Sequence, residues 1–143
     1  MSTLRKRAGF STINSAALTT SPAIFACTED IANSPESANF PANCNIQTVE
    51  IYLEGIDGSG YTVQMYLARD SAGLVPITPK GTSGSTQNIS YTDGTAKGGV
   101  VFQINTDFNF DSGVTNSTRG TVYVVAKISS GNASGQIRVN WRA

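Results

Sequence analysis

From Ile46 onward the chain alternates apolar and polar residues in short runs, and Gly, Ser, Asn and Asp interrupt the runs. Val49, Ile51 and Leu53 alternate with Glu50, Tyr52 and Glu54, and Tyr61, Val63, Met65 and Leu67 alternate with Thr62, Gln64, Tyr66 and Ala68. A period of two puts each set on one face of an extended strand. "DGSG" at 57–60 lies between the two runs and reads as the turn of a hairpin, with an odd-length loop or a bulge needed to keep both apolar sets on one face. Further strands are expected near 74–78, 87–92, 98–105, 120–128 and 135–142. In "GGVVFQIN", Val100, Phe102 and Ile104 share a side. "TVYVVAKI" is apolar enough for a central strand, and "SGQIRVNWRA" turns Ile137, Val139 and Trp141 inward. Some seven or eight short strands with turn residues between them predict an all-β fold, an antiparallel β-sandwich or jelly roll.

Residues 1–45 follow a different pattern. They carry Pro22, Pro35 and Pro41 and scattered apolar residues without a sustained period, with room for at most a short helical turn around Ser15–Leu18. The expected organisation is an extended N-terminal arm over 1–45 and a sandwich domain over 46–143. Phe10, Ile24, Phe25 and Phe40 would fasten the arm to the domain or to a neighbouring subunit.

Composition sharpens this picture. Ten basic and ten acidic residues give a net charge of zero, so no overall field draws the protein to nucleic acid or acidic lipid. Charged residues are only 14% of the chain, and 16 Ser, 16 Thr and 11 Asn take their place. So weakly charged a surface is poorly defended against association, which points to a covered face. Arg5, Lys6 and Arg7 resemble the start of a secretory signal, but "STINSAALTTSPA" supplies no apolar run after them. Synthesis in a cytoplasm without export is therefore expected, and no apolar stretch is long enough for a membrane span. On that expectation the triplets at Asn88, Asn116 and Asn132, which fit the N-glycosylation pattern, serve as turn chemistry. Cys27 and Cys44 enclose 16 residues. A bridge between them would contribute about 3 kcal/mol, and the alternative is two small buried hydrophobes.

Candidate chemistry is sparse. The chain has no histidine, which removes histidine-based nucleophilic catalysis and histidine-ligated metals. Glu50 and Glu54 point out from one strand with backbones roughly 13 Å apart, too far for a held glycosidase pair. Asp107, Asn109 and Asp111 match the first spacings of a calcium loop, but Ser112 stands where its glycine belongs and Thr118 where its glutamate belongs. The alternating "DFNFD" reads instead as a strand end. Arg5, Lys6 and Arg7 alone do not make a specific nucleic-acid site. Tyr52 and Tyr66, on the outer side of the proposed hairpin, are candidates for a protein contact or for stacking on a sugar ring. The reading is of a non-enzymatic protein without metal or cofactor.

A proline-bearing arm, a Ser/Thr/Gly/Asn-rich sandwich, no export signal and no catalytic constellation together resemble small virion proteins of tailed phages, especially capsid decoration or cement proteins. The resemblance implies a jelly-roll-like body and a dimer or trimer that bridges neighbouring subunits of a shell, with the major capsid protein or other virion subunits as partners and the virion as its location. Arg5, Lys6, Arg7, Phe10, Tyr52 and Tyr66 are the candidate interface residues. A carbohydrate-binding β-sandwich, such as a lectin-like, adhesin or tail-tip domain, is the alternative.

Overall fold

The computed structural model describes residues 8–27, 43–54, 61–79, 81–91, 97–109 and 122–142. Among them are nine strands and no helix: β1 (Ala8–Leu18), β2 (Ala23–Cys27), β3 (Asn43–Glu54), β4 (Tyr61–Ala68), β5 (Pro76–Ile77), β6 (Gln87–Tyr91), β7 (Lys97–Asn109), β8 (Val122–Ile128) and β9 (Ala133–Arg142). They form two antiparallel sheets. Sheet A has the order β1-β9-β3-β7; sheet B has the order β2-β8-β4-β5, with β6 also paired to β4.

The pairings nest. β1 pairs with β9, β2 with β8, β3 with β7 and β4 with β6, each pair antiparallel. This is the pairing of one long hairpin, with β5 near its tip, rolled so that successive pairs fall in alternate sheets. Two further pairings, β3·β9 and β4·β8, join the successive turns of the roll.

The core lies between the sheets. Val49, Ile51 and Leu53 of β3 and Ile137, Val139 and Trp141 of β9 enter it from sheet A, while Val63, Met65 and Leu67 of β4 and Val122, Val124 and Ile128 of β8 enter it from sheet B. Burying each such side chain contributes roughly 1.5–3 kcal/mol. Ser11 is the one polar residue buried among those described.

Three expectations fail here, each for a physical reason. Residues 8–27 are not an arm: β1 and β2 are edge strands of the two sheets and send Ala16, Leu18 and Cys27 into the core. Ser15–Leu18 is strand, not helix. Nor do the runs ending at Glu54 and beginning at Tyr61 form a hairpin, because β3 pairs with β7 and β9 while β4 pairs with β5, β6 and β8. Their apolar faces meet from opposite layers, and "DGSG" lies outside the described residues.

Two bulges set the registers. On β1, Asn14 and Ser15 lie opposite Gln136 alone, so the inward positions pass from Ser11 and Ile13 to Ala16 and Leu18. On β7, Ile104 and Asn105 lie opposite Gln47 alone, and Asn105 takes a left-handed φ of 44°. β9 approaches β3 closely at Gly135, where any Cβ would overlap the carbonyl of Tyr52.

Candidate functional site

The wet positions of the strands become two outer faces on opposite sides of the sandwich. Tyr52 lies on sheet A and Tyr66 on sheet B, so the shared platform expected of these two rings does not form.

Sheet A presents its polar positions on one outer face. β9 contributes Gln136, Arg138 and Asn140, and β3 contributes Thr48, Glu50 and Tyr52 beside them. Val101 and Gly99 of β7 lie opposite Glu50 and Tyr52, while Phe10 and Thr12 of β1 lie opposite Asn140 and Arg138. Asn140 Nδ2 donates to Thr48 Oγ1 and to Glu50 Oε2, each at 2.9 Å, and Tyr52 OH donates to Glu54 Oε1 at 3.1 Å. The Arg138 guanidinium stands 4.1 Å from the centre of the Phe10 ring, an exposed cation–π contact worth about 0.5–1 kcal/mol. Three large apolar side chains remain in solvent: Phe10 at 37% exposure, Tyr52 at 40% and Val101 at 46%. With glycine opposite it on β7, the Tyr52 ring has no side chain across that flank. Glu50 accepts its bond from Asn140 and Glu54 accepts from Tyr52.

Sheet B covers part of its outer face with its own chain. Gln64 Nε2 donates to Asn88 Oδ1 at 3.0 Å, and the Thr62 and Ser90 hydroxyls share a 3.0 Å bond. The segment 69–75 then folds back over the sheet. Tyr66 OH donates to the Gly73 carbonyl at 2.9 Å, and Asp70 accepts from the Leu74 and Val75 amides at 2.9 and 2.8 Å. These bonds, the Leu74 amide foremost, hold the Asp70 carboxyl below its usual range. Gly73 adopts a φ of 71°, open to glycine, and sits against Tyr66, Val125 and Ile24. Under this cover Val125, which points outward, is only 3% exposed. Leu74, in the tied loop, is 79% exposed, and Ile24 of β2, which lies against Gly73 of that loop, is 42% exposed.

The remaining candidates resolve simply. Arg5, Lys6, Arg7 and Asp111 lie outside the described residues. Asp107 Oδ1 accepts from Asn45 Nδ2 at 2.9 Å, and the same amide donates to Asn105 Oδ1 at 3.1 Å, so this end of β7 is a hydrogen-bonded strand end. No cluster of three His, Cys, Asp or Glu side chains suited to a metal occurs among the described residues. Cys27 is a free thiol, so the bridge to Cys44 is not formed; burial pushes it up to about 12, far from a reactive thiolate. No described helix is long and apolar enough to cross a membrane.

Sequence reasoning named Phe10, Tyr52 and Tyr66 but missed Leu74, Val101 and Arg138. The signal for Leu74 was "DSAGLVP", an Asp-led turn with an apolar residue just after its glycine. No protein-family model matches the chain, and a search of curated proteins finds no match.

Proposed function

We propose that this protein is a non-enzymatic structural subunit of a virus particle, one that decorates a capsid and bridges its subunits. The observation that carries this reading is the nested order of strand pairs, which we read as a jelly roll, an architecture recurrent in viral capsid and lectin domains. The weakly charged surface and the apolar side chains left in solvent on both faces support it, since a shell subunit works by burying such surface at many repeated contacts. Density-gradient fractionation of the cells that make the protein tests the reading. An antibody against the chain should find it in the particle band at a fixed ratio to the shell protein. Recovery only among free proteins at the top of the gradient overturns it.

The sugar-binding alternative now rests on sheet A alone, where Tyr52 has an open flank among Gln136, Glu50 and Arg138. Tyr52→Ala should then abolish retention on a glycan array, while Tyr66→Phe leaves it intact. No retention of the unmodified protein ends this alternative.

A further inference from the structure

The edges of a sheet carry unpaired backbone groups, and folded proteins blunt them with charge, proline, bulges or short length. Most edges of this molecule are treated in that way. β1 is kinked by its bulge at Asn14 and Ser15. β7 has Lys97 and Asp107 along it and a bulge of its own. β5 has two residues, and the neighbouring β6 shows polar Asn88 and Ser90 on its outer side. β2 is the exception. It pairs only with β8 among the described residues, it runs without a bulge, and no charged residue occurs anywhere from Ala8 to Cys27. Its outer side chains are Ile24 and Ala26, both exposed.

We propose that β2 is the dimerisation edge of this protein, pairing antiparallel with β2 of a second copy about a twofold axis at Phe25. The five-residue strand "AIFAC" is complementary to itself in that register. Ile24 of each copy lies opposite Ala26 of the other on the outer face, large against small. Ala23 lies opposite Cys27 on the inner face, and the two Phe25 residues, each partly buried against its own core, face one another. Sheet B then runs continuously through both copies. An antiparallel pairing keeps like faces together, so the two 69–75 loops, each with Gly73 against Ile24 of its own β2, lie on the same side of the join. The loop bearing Leu74 is already fixed by Asp70 and by Tyr66, so little ordering opposes its contact. A second copy fits this edge better than a charged partner because nothing along β2 would answer a charge. The interface is small, so the dimer is expected to be of modest affinity. The inference does not rest on the virion reading, since a glycan-binding protein would pair in the same way.

Sedimentation equilibrium of the full chain across a concentration series tests it, with thermal melting of every variant as the check on folding. The unmodified protein should show a monomer–dimer equilibrium. I24K/A26K, with both changes at exposed positions, should melt like the parent yet weaken association by about tenfold or more, because like charges meet across the join. I24K/A26E should restore association, since the twofold register sets each introduced ammonium opposite an introduced carboxylate. A parent that stays monomeric overturns the proposal, as it would if the chain's own residues cover the edge. So does a dimer that I24K/A26K leaves unchanged, or one that I24K/A26E fails to restore. None of these outcomes bears on whether the protein sediments with particles, so the two readings fail separately.

Discussion

Tyr52 and Tyr66 occupy matching outward positions on strands of the same alternating pattern, yet they end in opposite situations. Tyr52 stands in solvent on sheet A, with its hydroxyl bonded to Glu54. Tyr66 lies beneath the 69–75 loop and anchors it. Strand periodicity determines which way a side chain points, and a distant segment determines whether water reaches it. Sheet A is therefore the face free to be covered by something else, while sheet B is already partly roofed and offers the roof, with Leu74, as its contact.

The largest test of this contrast concerns how tightly sheet A is held from within. Gly135→Ala drives a Cβ into the Tyr52 carbonyl, so β9 must move away from β3. A loss of about 3 kcal/mol is expected in urea unfolding; an unchanged midpoint would mean that β9 moves away from β3 without cost and that sheet A is not tightly held. Next comes the edge of sheet B. The Cys27 thiol ionises near pH 9 in the unfolded chain and near 12 in the folded one, so its contribution is complete below pH 9 and is lost as pH rises toward 12. Stability should fall with each step of rising pH across that window, and by less than the Gly135 change costs at its lower end. Subtracting the same pH series for Cys27→Ala isolates this slope from the other groups that titrate there.

Smaller effects separate the two tyrosines directly. Tyr66→Phe removes the bond to Gly73 and should cost about 1 kcal/mol, with faster hydrogen exchange at the Leu74 amide. The protection of that amide, its exchange rate corrected for the intrinsic dependence on pH, should also fall on acidification. Asp70 stabilises the loop while ionised, and that contribution is lost as pH falls below the usual carboxylate range. Tyr52→Phe should leave stability within about 0.5 kcal/mol. Equal costs for the two Tyr→Phe changes would erase the distinction between the faces.

Much of the fold was legible from alternation. The inward sets of β3, β4, β7 and β9 were read correctly, and so was the central place of β8, whose nearly unbroken apolar run reflects Val125 lying under the loop. The failures have definite causes. The bulge in β1 shifts its inward positions from odd to even numbers, so the period of two disappears although the strand continues. Small inward residues, Ser11 and Ala16, weaken the pattern further. β2 is apolar on both sides, with Ile24 and Ala26 outward and Phe25 and Cys27 inward, so it shows no alternation. Parity arguments could not place β3 and β4, because two strands facing one core from opposite layers satisfy them as well as two strands side by side. Tyr52 and Tyr66 were found by residue type, but whether they would share a face depended on that unresolved choice.

The nested pairing also governs the order of events in time. Its outermost pair joins Ala8 to Arg142, so β1 finds its partner only after β9, the last of the nine described strands, has emerged. Closing so long a loop precedes any gain from the contacts it permits, which puts folding in the milliseconds-to-seconds range of sandwich proteins. During synthesis β1 waits without its neighbour, and β2 must wait for β8 in the same way. β1 and β2, neither of which carries a charged side chain, are thus sheltered late, and that delay leaves both exposed to aggregation during synthesis.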